Sequence, residues 1–335
     1  MTSATTSAAT REANPEVTRE PLLAVHGLKV HFPANTAAIR AVDGVSFELF
    51  PGETLALVGE SGCGKSTLAR ALVGLNRPTA GSIKLGQREL AKLTRSELRP
   101  LRKQIQLVFQ DPYASLNPRL NVADTLGEAI RLHQRADSGK VAARIADLMN
   151  AVGLDPAWAT RYPHEFSGGQ RQRISVARAL AVEPHILICD EVTSALDVSV
   201  QAQLVELLKS LQRSLGLAYL FIAHDLGVVR SIAHRVAVMY LGQIVELRPS
   251  ETFFENPTHP YSQALLASVP RLRPEANARQ LLRGEVPSPA NPPLGCRFHP
   301  RCPARFDRCP TEAPELYPVE GGVSRCFLHD KSANG

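Results

Sequence analysis

The stretch Thr54-Leu-Ala-Leu-Val-Gly-Glu-Ser-Gly-Cys-Gly-Lys-Ser66 decides the fold. Thr54–Val58 reads as one short apolar run, the pattern of a strand buried on both faces, and it ends in glycine. Residues Gly59–Ser66 fit G-x-x-x-x-G-K-[ST], and a helix is expected from Lys65 to about Leu72, with Gly74 placed to stop it. The glycines let the backbone curl so that successive N–H groups point inward, and the helix start adds a positive end; together they cradle phosphate. Lys65 would then supply a point charge to β and γ oxygens, and the Ser66 hydroxyl a ligand for Mg²⁺. A glycine-rich turn without a ligand is the plain alternative, and the strand–loop–helix context weighs against it.

Working outward, Ile186-Leu-Ile-Cys-Asp190 is a second apolar strand, closed by a carboxylate and followed by Glu191. A buried strand of this kind would bring Asp190 beside the phosphate loop to hold Mg²⁺ through water. Glu191 would then face the γ-phosphate and orient or deprotonate a water. Most Asp-Glu pairs are solvated loop charges; the strand end downstream of a phosphate loop argues for the functional reading. Ile105–Phe109 and Leu217–Ala223 are further buried strands, Leu23–Phe32 alternates like an edge or half-buried strand, and Val236–Val245 reads as two short strands around Leu241-Gly242. The span 121–182 is helical in pattern and interrupts the strands. Short apolar runs alternating with amphipathic stretches from 22 to about 250 give an α/β domain with a partly parallel sheet.

The chain has 335 residues, 44% of them hydrophobic and 21% charged, room for one large domain or a domain with an appendage. No run of about 18 apolar residues occurs, so none reads as a membrane-spanning helix. Residues 1–21 are rich in Ala, Thr, Ser, Glu and Arg without an apolar centre, which argues for a disordered tail rather than a secretory signal. The net charge of +6 is scattered, with a modest cluster at Arg95, Arg99, Arg102 and Lys103 that reads as a solvated helix face. After Pro249 proline becomes frequent, as at Pro287, Pro289, Pro292 and Pro293, which reads as a linker to a Cys-rich tail.

Phe166-Ser-Gly-Gly-Gln170 precedes an amphipathic helix expected from Arg171 to about Val182. Alone, it is a helix start with Ser167 as N-cap. With the other motifs in order, the chain resembles the ATP-binding-cassette family, whose signature reads Leu-Ser-Gly-Gly-Gln; here Phe166 replaces the Leu. Gln110 fits that family's glutamine loop, Ser194-Ala-Leu-Asp197 the loop after the catalytic Glu, His224 the switch histidine, and Phe32 the aromatic that stacks on adenine. The resemblance implies a phosphate-loop core sheet, an antiparallel β subdomain and a helical subdomain over 22–250. It implies ATP contacts at Phe32, Ser61, Gly62, Cys63, Gly64, Lys65, Ser66 and Thr67, and Mg²⁺ at Ser66, Gln110 and Asp190. Glu191, His224, Lys65 and Gln110 would be the catalytic set. A second cassette would pack head to tail, so that Ser167, Gly168, Gly169 and Gln170 reach the γ-phosphate on the partner's loop.

Phe109-Gln-Asp-Pro-Tyr-Ala-Ser-Leu-Asn-Pro118, Ala195–Gln203, His259–Leu266 and Gly284–Pro293 look like segments of the bacterial oligopeptide and dipeptide importers. Val192 stands where many of those relatives have Pro. That resemblance implies a peripheral subunit on the cytoplasmic face of the inner membrane, hydrolysing ATP to drive peptide import. Its partners would be a second ATPase subunit, two integral-membrane permeases touched by residues 111–122, and an extracytoplasmic peptide-binding protein. Import of nickel, sugars or antibiotic peptides is the near alternative, and a nucleic-acid-associated ATPase of the superfamily the distant one. No nucleic acid is expected, since neither a second cassette nor a coiled-coil insertion is present.

Cys296, Cys302, Cys309 and Cys326 form a C-x₅-C-x₆-C-x₁₆-C array within the extension 251–335. A reducing cytosol disfavours disulfides, and zinc would ordinarily show C-x₂₋₄-C pairs, absent here. An iron–sulfur centre needs four thiolates and tolerates irregular spacing, and the resembled importers include members with a [4Fe-4S] cluster in this extension. Free thiols and zinc stay open, with His299 and His329 as alternative ligands.

Overall fold

The computed structural model describes residues 20–33, 38–133, 138–268 and 284–331. The tail expected to be disordered, 1–21, lies almost wholly outside them. In chain order the elements are β1 (Leu23–Phe32), β2 (Ile39–Leu49), β3 (Thr54–Val58), α1 (Lys65–Leu72), β4 (Ala80–Leu85), β5 (Arg88–Glu89), α2 (Arg95–Leu101), β6 (Ile105–Val108), α3 (Pro112–Ser115), α4 (Val122–His133), α5 (Ser138–Ala151) and α6 (Gly168–Leu180). There follow β7 (Ile186–Asp190), α7 (Val198–Leu215), β8 (Ala218–Ile222), α8 (Leu226–Ile232), β9 (Arg235–Tyr240), β10 (Gln243–Pro249), α9 (Ser250–Glu255), α10 (Pro260–Ala267), β11 (Tyr317–Val319) and β12 (Gly322–Ser324).

Two sheets carry the fold. The larger runs β11-β12-β10-β9-β3-β8-β7-β6, and the smaller runs β2-β1-β4-β5. From β9 to β6 the larger sheet is parallel, with β3 between β8 and β9, while β10, β12 and β11 add to its far side antiparallel. The smaller sheet is wholly antiparallel, and β1 is one of its inner strands.

The apolar runs of β3, β7 and β8 follow from their position, because both faces of the sheet are covered and every side chain must be buried. Ala56, Val58, Leu187, Cys189, Tyr219 and Phe221 enter one core, beneath α4–α8. Their alternating neighbours Leu55, Leu57, Ile186, Ile188, Leu220 and Ile222 enter the other, closed by α1 and the small sheet.

Two expectations need correction. The signature helix begins at Gly168 rather than Arg171, because Ser167 caps it and Gln170 returns the bond in a capping box. The shift after Pro249 does not open a loose linker at once: α9 and α10 pack onto the core, with Phe253 and Tyr261 fully buried. Farther on, Glu246 and Leu247 of β10 pair with Ser324 and Val323 of β12, so the end of the chain is part of the main sheet. Arg248 bonds the Glu320 carbonyl at 2.8 and 3.1 Å and the Asn256 carbonyl at 2.5 Å, tying the β11–β12 turn to the end of α9.

Candidate phosphate-binding site

The parallel strands converge at their C-terminal ends, where Gly59 follows β3, Gln110 follows β6, Asp190 closes β7 with Glu191 next, and His224 follows β8. Ligands of open α/β sheets lie at this edge. Gly59 and Gly64 have φ of +154° and +111°, and a Cβ on either would collide with the backbone of Met239 or Ala41, so the loop requires glycine there.

Lys65 is 4% exposed, and its ammonium donates to the Gly59 carbonyl at 2.8 Å and the Glu60 carbonyl at 3.1 Å. It also lies 3.8 Å from Glu191 Oε1. The Ser66 hydroxyl donates to Asp190 Oδ1 at 3.0 Å. Burial pushes the Asp190 carboxyl above its usual range, partly offset by the Ser66 bond, and the Glu191 charge pushes it the same way. A hydroxyl and a buried, undercompensated carboxylate in contact are the oxygen donors a hard divalent cation takes, so the pair fits Mg²⁺.

Gln110 Nε2 donates to Glu191 Oε2 at 2.9 Å, and His224 Nδ1 lies 4.0 Å from the same oxygen with its ring 60% exposed. Glu191 has φ of +48°, a left-handed conformation unusual for a non-glycine residue. Its N–H is bonded to the Ile222 carbonyl, and its own carbonyl accepts from the backbone and hydroxyl of Ser194. The turn after β7 is therefore fixed from both sides. Cys63 is buried and its thiol is raised by that burial, while Cys189 is pushed up to about 12, so neither is a reactive thiol.

Of the residues singled out from sequence, Lys65, Ser66, Gln110, Asp190, Glu191 and His224 come together. Ser61 and Gly62 lie exposed on the loop, Gly64 caps α1 and Thr67 sits in its first turn. Phe32 ends β1 and is 37% exposed. Ser167, Gly168, Gly169 and Gln170 stand apart: among the described residues no hydrogen bond or ion pair joins them to the Lys65 loop, and Ser167 is exposed at the tip of α6.

Contacts that sequence reasoning missed come from the extension. Arg301 grips the Glu60 carboxylate, Tyr261 accepts from the Glu60 N–H, and Arg297 pairs with Asp43 and the Leu241 carbonyl. No local pattern marks these residues, which act across the fold.

All six cysteines are free. Cys302 and Cys326 are pushed up to about 11 and about 12, chiefly by burial, and the neighbouring thiols add to this: Cys326 feels Cys296, Cys302 and Cys309. The four thus lie within electrostatic reach of one another. Among the described residues, however, no three His, Cys, Asp or Glu side chains converge tightly enough to hold a metal ion.

Residues 42–194 match the family model "ABC transporter", and residues 245–309 match "Oligopeptide/dipeptide transporter, C-terminal region". The Sinorhizobium fredii protein named "Probable peptide ABC transporter ATP-binding protein y4tS" is 50% identical over 323 residues, covering 94% of this chain and 92% of its own length. The oligopeptide transport ATP-binding protein AppF of Bacillus subtilis is 48% identical, covering 89% and 94%. Among solved structures, a dimeric, post-hydrolysis state of the ATP-binding cassette MJ0796 bound to ADP and Pi superposes with a TM-score of 0.63 at 26% identity, over 68% of this chain and 98% of that one. The cassette cbiO1 of Clostridium perfringens gives a TM-score of 0.64 at the same identity, over 71% and 92%. With a strand-end phosphate loop, a paired hydroxyl and carboxylate, and relatives alike over nearly their whole length, the chain belongs to the ATP-binding subunits of the ATP-binding-cassette transporter family, in the branch that carries the oligopeptide/dipeptide transporter C-terminal region.

Proposed function

We propose that the protein hydrolyses Mg-ATP to drive import of di- or oligopeptides across the cytoplasmic membrane. On this reading it works from the inner face, paired with a second, different ATPase subunit beneath two permeases that an extracytoplasmic binding protein supplies. The observation that carries the catalytic reading is the position of Glu191, bonded to Gln110 and 3.8 Å from Lys65, beside the Ser66–Asp190 pair. The peptide cargo rests on the names of the relatives. Among the described residues no helix is long and apolar enough to cross a membrane.

Each residue has a part set by its chemistry. Lys65 holds its ammonium where the β and γ oxygens of a triphosphate would meet it, and loop N–H groups take the rest of the phosphate charge. Ser66 and Asp190 would hold magnesium, which when bound neutralises the phosphate oxygens. Glu191 accepts the proton of the attacking water; Gln110 fixes one of its oxygens, and His224 is placed to steady the same edge. Phe32 offers its exposed ring to adenine. Ser167, Gly168, Gly169 and Gln170 face the partner subunit's nucleotide from the start of α6. Loss of the γ-phosphate removes contacts to both halves, which loosens the pair.

The four tail cysteines are assigned to an iron–sulfur centre. This assignment rests on the family resemblance and on the count of four thiolates alone, since among the described residues the free thiols form no group able to hold a metal ion, and visible absorption of anaerobically purified protein tests it. For the ATPase reading, the test is turnover in the assembled transporter. Lys65→Ala loses ATP binding, whereas Glu191→Gln keeps binding and loses hydrolysis. Retained turnover in Glu191→Gln refutes the assignment of the base.

A further inference from the structure

We infer that the C-terminal extension is part of the nucleotide site, with Arg301 a positioning residue that neutralises and aims Glu60 of the phosphate loop. This deepens the reading of Gly59–Ser66 as that loop and rests on it.

Glu60 is the second residue of the loop, and it is held at three points. Its carboxylate takes both terminal nitrogens of Arg301 at 2.7 and 3.0 Å, a bidentate grip with defined direction as well as charge. Its N–H donates to the Tyr261 hydroxyl at 2.9 Å, and its carbonyl accepts from Lys65 at 3.1 Å. The Arg301 side chain is 5% exposed and Glu60's 25%, so water screens the pair poorly.

An acidic side chain inside a loop that receives a triphosphate is a liability unless its charge is cancelled. Arg301 is the cation that cancels it, and it comes from the segment just before Cys302 rather than from the loop's own domain. Arg301 also lies 6.0 Å from the Tyr240 ring centroid, and Tyr240 packs against Tyr261 and Phe298 at centroid distances of 4.6 and 5.4 Å. The guanidinium is thus seated on a rigid aromatic base. Four residues earlier, Arg297 pairs with Asp43 of β2 in the small sheet. A single segment of the extension therefore braces the phosphate loop and the β subdomain that carries Phe32.

The test is MgATP titration of the full-length protein, with KM and kcat of the assembled transporter as the second readout. Arg301→Ala is expected to weaken MgATP about 10-fold and to raise KM by the same factor with kcat little changed. Glu60→Gln added to Arg301→Ala should restore affinity to within about 3-fold of the parent, because the charge to be cancelled is gone. Should Arg301→Ala not fold, Arg301→Lys with and without Glu60→Gln makes the same comparison with a smaller expected loss. Affinity unchanged in the single variant, or equally lost in single and double variants that both fold, overturns the inference. Lys65→Ala is the control: if it binds MgATP like the parent, the phosphate-loop reading itself has failed, which is a different outcome from a silent Arg301.

Discussion

The Ser66 hydroxyl donates to Asp190 across 124 residues of chain, at 3.0 Å, which brings a loop after β3 and the end of β7 into one oxygen pair. The pair is held against its own stability, since burial raises the Asp190 carboxyl toward the neutral form.

That cost gives a first expected outcome. A carboxyl whose folded pKa is raised disfavours folding once the pH exceeds the unfolded value, so Asp190→Asn should stabilise the nucleotide-free protein at pH 7. The same change should lower Mg-ATP hydrolysis by about 100-fold or more. Thermal melting and ATPase assays read the two effects, and a destabilised variant would contradict the electrostatic account.

Glu191→Gln should reduce turnover by roughly 10²–10⁴-fold with ATP affinity preserved, the range expected for loss of a general base. Gln110→Ala, which frees one carboxylate oxygen without removing the base, should cost less, about 10-fold. Equal losses in the two variants would mean that Glu191 acts only by position.

His259 gives a pH dependence. It is fully buried and pushed down to about 3 by that burial, and its Nδ1 accepts from the Tyr261 N–H at 3.0 Å as a neutral ring. The ordinary value is 6.5, so as pH falls from about 6.5 toward 3 the unfolded chain gains a proton that the folded one refuses. Stability should therefore drop on that descent, with a contribution of up to about 1.4 kcal/mol per pH unit from this group. Denaturant melts from pH 7 to pH 5 should show a shallower slope for His259→Asn, which keeps a capping acceptor.

Phe298 tests whether the extension belongs to the core. It is 1% exposed and packs against Tyr240, Tyr261 and His259. Phe298→Ala should cost about 3–5 kcal/mol in urea unfolding, as expected for emptying a closed aromatic site. A loss below about 1 kcal/mol would mark the tail as a separate, loosely held piece.

Much of this was legible in the chain. Thr54–Val58, Lys65–Leu72 and Leu23–Phe32 were expected with the bounds they have, because a fully apolar run, a glycine-closed helix and a period-2 alternation are local signals. The gathering of Lys65, Asp190 and Glu191 was legible from a phosphate loop and a carboxylate closing an apolar strand, whereas Gln110 and His224 were expected only through the family resemblance, because a lone Gln or His at a strand end carries no signal of its own. The strands β2, β4, β11 and β12 were not picked out individually. Val323 and Ser324 make a strand by pairing with β10 on one side and β11 on the other, and β2 and β4 pair with β1. The Arg301–Glu60 contact was hidden for the same reason: it joins residues 241 apart, and neither neighbourhood announces the other.

The central claim is that one triphosphate is gripped by the Lys65 loop of one subunit and the Ser167 turn of its neighbour. The most direct measurement is the size of the Glu191→Gln protein with its partner ATPase subunit, with and without MgATP, alongside the same protein carrying Ser167→Arg. The account requires ATP-dependent association that Ser167→Arg abolishes while ATP still binds at the Lys65 loop. Association that persists unchanged with Arg at 167, or that ignores ATP, would contradict it.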